Sequence, residues 1–510
     1  MNDSSTVGGK PLNRGMITAT VMMTSVLQTL DGTIANVALP KMMGSLSATQ
    51  DQITWVLTSY IVAAAIMTPL TGWLAGQIGR KRLFTLSIIG FTISSALCGL
   101  AQTLPEIVLF RTLQGLSGAA LVPMSQAVLF DINPPENHGK AMAIWGQGVL
   151  LGPLIGPILG GWLTDNYSWR WVFYINVPLG ALAWMGILAY LPKGEVRRSR
   201  FDLFGFALLS LAIGAFQIML DRGSLKDWFS STEIWIEATL AGLAMYLFIV
   251  HSLTSRNPFI HLSMFKDPNF VAGNIFIFVV GIVLFSTLAL VPPLLQNLMG
   301  YPVLDAGLLI APRSVGSLIA MLIVGRLVGR VDPRLVIGGG FLFTAWSVWL
   351  MTRFNLQMDG RLVIMSGVLQ GLGTGSAYVA MASLTFATLP PHLRNEGTAM
   401  FSLMRNIGSS IGISIVQSLL TSNTQIVHST LSEHITPYNL AARNPEMAAQ
   451  LASHAGTAAL DGAVTVQAAM IAYLDDFQLM FILMMLTLPL LLMVRVKKTK
   501  GEDAPHVAIE

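Results

Sequence analysis

Leu113-Gln114-Gly115-Leu116 is repeated 256 residues later as Leu369-Gln370-Gly371-Leu372. Two flanking matches keep the same order. Gly72-Trp-Leu74-Ala-Gly76 is answered by Gly325-Arg-Leu327-Val-Gly329. Pro134-Pro135 followed by Gly139-Lys-Ala-Met142 is answered by Pro390-Pro391 followed by Gly397-Thr-Ala-Met400. Each match is weak alone, but all fall 253 to 258 residues apart, and three in register mark an internal duplication.

The repeated segments lie inside apolar runs. Of the 510 residues, 53% are hydrophobic and 11% are charged, whereas a soluble domain carries about 25% charged residues. Too little polar surface is available to cover a soluble core, and a chain this apolar collapses rather than staying disordered. The pI of about 9.2 rests on a net charge of only +4, and the bases are scattered, which argues against a nucleic-acid stripe. The single cysteine, Cys98, lies in an apolar run, so neither an intramolecular disulfide nor a cysteine metal site is expected. These features describe an integral membrane protein.

Crossing roughly 30 Å of hydrocarbon takes about 20 apolar residues. Fourteen such runs are read at 16–38, 54–75, 83–102, 105–129, 141–162, 171–191, 203–220, 233–252, 269–294, 305–328, 335–352, 362–388, 399–420 and 475–495. The predicted fold is all-α, with two six-helix halves at 16–191 and 269–495 around an inserted helix pair at 192–268. Tails occupy 1–15 and 496–510, and a long polar external loop occupies 421–474, within which 443–472 has the helical composition of a short external hairpin. A polar N-terminus to Arg14 before a full-length first span predicts no cleavable signal peptide. Parallel halves of this kind are an architecture of secondary transporters, with the substrate site between the halves near the midplane.

Basic residues set the expected orientation. With both termini inside, cytoplasmic segments hold 20 of the 30 Lys and Arg, among them Arg80, Lys81, Arg82, Lys140, Lys193, Arg197, Arg198, Arg200, Arg330 and Arg495 to Lys500. External segments hold seven: Lys41, Arg170, Arg222, Lys226, Arg353, Arg361 and Arg443. That bias predicts cytoplasmic termini. Arg111, Arg313 and Arg405 fall within spans.

Several motifs resemble the major facilitator superfamily, in particular its fourteen-helix drug:proton antiporter branch. Leu30-Asp31-Gly-Thr33-Ile-Ala-Asn36-Val-Ala38-Leu39-Pro40 resembles the branch's first-helix signature, and Arg111-Thr-Leu-Gln114-Gly115-Leu-Ser-Gly118 is similar to the fourth-helix motif. Gly152-Pro-Leu-Ile-Gly156-Pro157-Ile-Leu-Gly160-Gly161 resembles the antiporter motif of helix 5. Trp169-Arg-Trp-Val-Phe-Tyr-Ile-Asn176-Val-Pro178, Gln217 to Gly223, Asp227-Trp228-Phe229 and Asn257-Pro258 are similar to EmrB-type multidrug exporters.

The resemblance implies proton-driven export of hydrophobic or amphipathic drugs by alternating access, with no cofactor, from a bacterial inner membrane. It also implies a membrane-fusion adaptor and an outer-membrane channel as partners, with the loop at 421–474 as a candidate docking surface. One departure stands out. Gly72, Leu74, Gly79 and Arg80 fit the family's gate loop between helices 2 and 3, but Gly76 and Gln77 stand where Asp and Arg are expected. The carboxylate expected to lock the cytoplasmic gate is missing from that loop.

Proton coupling needs a group that titrates inside the membrane. Of 26 acids, Asp31 is the one deep within a strong span, while Glu237, a turn into span 8, fits a side chain snorkelling to the interface. Asp31 lies seven residues before Ala38, roughly 10 Å deep, and Arg111 lies six residues after Pro105, roughly 9 Å deep. The family fold brings helices 1 and 4 together, so the two are expected to pair. In the repeat Gly367 takes the place of Arg111, so the arginine is not needed for the repeated packing. The pair is either a proton-coupling switch or a permanent tie between the helices. Gly152, Gly156 and Gly160 permit close helix packing, and Pro153 and Pro157 remove backbone donors.

Candidate substrate-cavity residues are Gln28, Asn36, Tyr60, Gln126, Trp145, Asn274 and Arg405, the polar and aromatic groups within spans. Competing classes fare worse. The only Gly-x-Lys-like run, Gly8-Gly9-Lys10-Pro11, lacks the Ser or Thr of a phosphate loop. All eight His lie in loops, tails or span ends, which disfavours metal or His-based catalysis. A transporter of one specific metabolite, in either direction, or a non-transporting scaffold stay open.

Overall fold

A computed structural model describes residues 6–7, 10–11, 13–134, 137–192, 196, 201–256, 258–327, 331–390, 393–435 and 453–494. Pro135, Pro391, Asn257, the basic residues Lys193, Arg197, Arg198, Arg200, Arg330, Arg443 and Arg495 to Lys500, and the tail 496–510 lie outside the described residues.

Thirteen helices among the described residues are long and apolar enough to cross a membrane. A further one, Arg14–Ser45, has the length but not the apolarity. Its interior carries Thr24, Ser25, Gln28, Thr29, Asp31, Thr33 and Asn36, the polar load of a helix that lines a site rather than lipid. In chain order the helices are α1 (Arg14–Ser45), α2 (Trp55–Ile78), α3 (Arg80–Leu100), α4 (Leu104–Ile132), α5 (His138–Asn166) and α6 (Trp171–Tyr190). The inserted pair is α7 (Leu203–Gly223) and α8 (Thr232–Thr254). The second half comprises α9 (Pro268–Leu298), α10 (Asp305–Leu327), α11 (Pro333–Met351), α12 (Gly360–Ala387), α13 (Arg394–Glu433) and α14 (His454–Met493).

The duplication read from sequence reappears as a duplicated packing scheme. Helix α1 packs on α5, α4 on α2 and α3, and α3 on α6. The second half repeats this as α9 on α13, α12 on α10 and α11, and α11 on α14. The halves meet where α5 packs on α10 and α12, and α13 on α2 and α4. Helix α7 lies against α2 and α13. It is tied there by the Thr58 hydroxyl donating to Asp221 and by Ser414 Oγ donating to the Leu220 carbonyl at 2.7 Å.

The stretch 421–474 departs from the expected loop. Helix α13 continues to Glu433, α14 is already helical from His454, and residues 436–452 lie outside the described residues. At 1.5 Å per residue the 40 residues of α13 reach roughly 60 Å, about twice the hydrocarbon thickness. The two helices therefore leave the apolar layer together, and His428 Nε2 meets Asp461 Oδ1 at 3.0 Å between them. Hydropathy marks where a helix leaves lipid, not where it ends; the helical composition of 443–472 is met from His454 onward, and 443–452 lie outside the described residues.

Candidate functional site

Asp31 is fully buried on α1, and three side chains converge on its carboxylate. Arg111 Nη1 donates to Oδ2 at 2.7 Å, while Gln114 Nε2 and Asn176 Nδ2 donate to Oδ1 at 2.9 and 2.8 Å. These donors come from α4 and α6, so three helices of one half are fastened through one carboxylate. Arg111 is held in turn by the Val56 carbonyl at 3.0 Å, by Gln114 Oε1 at 2.9 Å and by the Tyr60 ring, 4.2 Å below its guanidinium carbon. Asn176 Nδ2 also reaches Ser95 Oγ on α3 at 3.0 Å. Asp31, Arg111, Gln114 and Asn176 are all inaccessible to solvent. Both carboxylate oxygens are bonded, as a buried acid requires.

The predicted pairing of Asp31 with Arg111 is present, and Tyr60 belongs to that network. In the sequence Gln114 marks the repeat and Asn176 belongs to a family-like motif, and neither position by itself points to the site. A carboxamide in an otherwise apolar run was the available signal, since such a group needs a partner in lipid.

The antiporter motif packs helix α5 onto the helix that carries Asp31. A Cβ on Gly152 would run into the Thr29 hydroxyl and lie 2.7 Å from the Leu30 nitrogen, and one on Gly160 would lie 2.8 Å from Ile34 Cγ1. Gly156 faces the Thr33 hydroxyl in the same way, whereas Gly161 has only Val37, at 3.9 Å. The prolines have a local consequence. Pro153 cannot donate to the Val149 carbonyl four residues back, and that carbonyl accepts instead from Thr29 Oγ1 at 3.1 Å. Thr33 Oγ1 likewise donates to the Gly152 carbonyl at 3.3 Å. Two threonines of α1 are thus bonded to the α5 backbone, one of them at the carbonyl that Pro153 releases.

Between the halves lies an aromatic and polar cluster. Trp145 stacks on Tyr378, with centroids 6.3 Å apart at 22°, and Gln126 Nε2 donates to the Tyr378 hydroxyl at 2.6 Å. Arg405 faces the same hydroxyl, and Trp145 Nε1 donates to Ser25 Oγ on α1 at 3.0 Å. Of the cavity candidates, Gln126, Trp145 and Arg405 come together here, around a tyrosine that sequence reasoning did not select. The others are elsewhere. Gln28 accepts from the Val122 amide at 3.2 Å, Asn274 donates to the Phe270 carbonyl of its own helix at 2.8 Å, and Asn36 is exposed.

At the end of the bundle bearing the α2–α3 turn, the gate loop is set by Gly79, whose φ of 83° is cheap only for glycine. Arg80 pairs with Asp131 at the end of α4, and Arg394 at the start of α13 reaches the same carboxylate at 3.3 Å. The carboxylate missing from the loop is thus supplied by α4, and one acid bridges both halves. Gly72 sits under α13, since a Cβ there would lie 3.0 Å from Glu396 Cα. Glu396 Oε2 meets His261 Nδ1 at 2.9 Å. The hydrogen bond to Glu396, reinforced by its charge, raises the His261 pKa above its ordinary value.

The family description of the Major Facilitator Superfamily matches residues 21–413. The chain belongs to the major facilitator superfamily. It is 37% identical over 436 residues to the multidrug export protein EmrB of Escherichia coli (strain K12), covering 84% of this chain and 85% of that one. It is 36% identical over 425 residues to the fatty acid resistance protein FarB of Neisseria gonorrhoeae, covering 83% and 84%. Among solved major facilitator structures, the human organic anion transporter MFSD10 superposes with a TM-score of 0.61 at 13% identity, over 93% of this chain and 100% of that one. The proton:xylose symporter XylE gives 0.61 at 14%, over 92% and 95%. As a member of this superfamily the chain is a multi-pass membrane transporter and not an enzyme.

Proposed function

We propose that this transporter exports hydrophobic and amphipathic drugs in exchange for protons, by alternating access between its two halves. The observation that carries the reading is the buried Asp31 carboxylate, held by one guanidinium and two carboxamides. Protonation removes the charge that Arg111 binds and adds a donor. Asn176 Oδ1, buried and without a partner among the described residues, is an acceptor beside it, so the neutral carboxyl can trade its hold on α4 for one on α6. Drug binds the Trp145–Tyr378 cluster, and Trp145 is bonded to Ser25, six residues before Asp31 on α1, about 9 Å along the helix. Displacement of Trp145 by a ligand therefore acts on the helix that holds the proton site.

The names of relatives, multidrug export protein among them, support drugs as cargo. The same reading places the protein in a bacterial inner membrane, both termini and the α2–α3 turn cytoplasmic by the basic bias. The protruding ends of α13 and α14 then form the docking surface for a membrane-fusion adaptor that leads to an outer-membrane channel. Energised everted vesicles test the reading. Wild type accumulates a fluorescent cationic drug and releases protons when drug is added; Asp31→Asn binds drug but does neither. Proton-coupled accumulation undiminished in Asp31→Asn would sink the proposal.

A further inference from the structure

Helix α2 supplies two of the contacts that hold Arg111, and both come from its first turns. The Val56 carbonyl accepts from Arg111 Nε at 3.0 Å, and the Tyr60 ring lies 4.2 Å from the guanidinium carbon. Four residues apart, these positions share a helix face. Trp55 and Thr58 fall on the far side: at about 100° per residue they lie roughly 150° round the helix from Val56 and Tyr60.

That far side meets the inserted pair. Thr58, buried on α2, donates its hydroxyl to Asp221 at the end of α7. The guanidinium carbon of Arg222 stands 5.7 Å from the centre of the Trp55 ring, and Arg222 is paired in turn with Glu233 at the start of α8. The start of α2 is therefore gripped between Arg111 of α4 and the Asp221–Arg222 corner of the inserted pair. The first four N–H groups of a helix have no partner within it, so the seating of such a turn depends on what holds its sides. Asp221 and Arg222 belong to the stretch Gln217 to Gly223, which has no part in the drug cluster or among the direct partners of Asp31.

We propose that Asp221 and Thr58 are positioning residues for proton exchange at Asp31, a role that presumes Asp31 as the proton carrier. By seating α2, helix α7 fixes the carbonyl and the ring that hold the Arg111 guanidinium, so the inserted pair acts on the proton site without touching it. Hydrogen bonds weaken steeply with misalignment. A guanidinium free to drift binds the carboxylate less well, and the proton is then given up less readily.

The experiment measures protons released per drug bound by the purified full-length protein, together with the drug dependence of the initial transport rate in energised everted vesicles. Asp221→Ala and Thr58→Val each lower the maximal rate about three- to tenfold, the range of one hydrogen bond. Both release fewer protons per bound drug, and neither changes the KM for drug, because the Trp145–Tyr378 cluster lies elsewhere, between the halves. The double variant is no worse than either single one, as for two residues acting through one contact. Asp221→Asn, which keeps an acceptor for the hydroxyl, retains most of the rate and of the proton release. The near-isosteric Thr58→Val keeps the test decisive should Asp221→Ala fold poorly, and normalising to bound drug removes the effect of inactive protein. Unchanged proton release per bound drug in both single variants, a KM that rises in step with the fall in rate, additive losses in the double variant, or no rescue by Asp221→Asn would each overturn the positioning role while leaving the Asp31 switch intact. Proton coupling retained in Asp31→Asn would instead overturn the switch, and the positioning role with it.

Discussion

Asp31 accepts from Arg111, Gln114 and Asn176 at once, and the three partners are not equivalent. Removing the guanidinium strands a buried charge, at a cost of about 3–5 kcal/mol. Arg111→Ala is therefore expected to lose monodispersity in size-exclusion chromatography. Asp31→Asn combined with Arg111→Gln removes both charges together and should recover much of the thermal stability without restoring proton coupling. Asn176→Ala deletes one hydrogen bond to a charged group, about 1.5–3 kcal/mol. It should stay folded with a lower midpoint in thermal unfolding and a transport rate reduced about tenfold or more; an unchanged rate would remove Asn176 from the mechanism. The charged pair was legible in the sequence, because an Asp and an Arg at matching depths in apolar runs have few other uses. The two carboxamides were not, because only the approach of α4 and α6 to α1 shows which buried amide meets which acid.

At the scale of the element, α5 shows how a motif becomes a surface. Its glycines matter according to what faces them, and spacing alone does not say which are indispensable. Gly152 and Gly161 are both in the motif, yet a methyl group on the first lies 2.7 Å from the Leu30 backbone and on the second 3.9 Å from a side chain. Gly152→Ala is expected to destabilise by about 1–3 kcal/mol through overpacking and to lower drug export, while Gly161→Ala is close to neutral. Thermal unfolding of both variants in detergent checks the contrast, and an equal shift in the two would refute it. The extensions of α13 and α14 show the opposite limit. Their composition favours helix, but an apolar-run criterion stops at the lipid boundary and reads the remainder as loop.

For the whole molecule, one carboxylate at the α2–α3 turn ties the two halves together. Asp131 holds Arg80 of its own half and Arg394 of the other. Asp131→Asn should loosen that face, seen as faster labelling of a cysteine placed at Ile78, half-buried beside the turn. The effect is expected to be a few-fold at most, since partly exposed pairs contribute about 0–1 kcal/mol. His261 adds a pH dependence. Its pKa is raised by Glu396, so its contribution to the closed face is complete below its ordinary value of about 6.5 and is lost as pH rises through the raised value. Labelling at position 78 should therefore quicken as pH increases across that window, beyond the rise of a free thiol, and His261→Gln should flatten the excess. The missing carboxylate is visible in the sequence at Gly76, but that Asp131, 55 positions further on, pairs with Arg80 is not.

Composition, span length and the 253-to-258-residue repeat by themselves determined a membrane transporter of two six-helix halves with an inserted pair, and singled out Asp31 and Arg111. Those features are local or periodic, and lipid enforces them on every residue it touches. Tertiary structure alone decided that Gln114 and Asn176 complete the Asp31 network, that Tyr378 gathers Trp145, Gln126 and Arg405, that Asp131 bridges the halves, and that Arg313 has no carboxylate partner among the described residues. Each depends on which side chains far apart in sequence the packing brings together, and helix periodicity fixes the face a residue occupies but not the neighbour that face will meet.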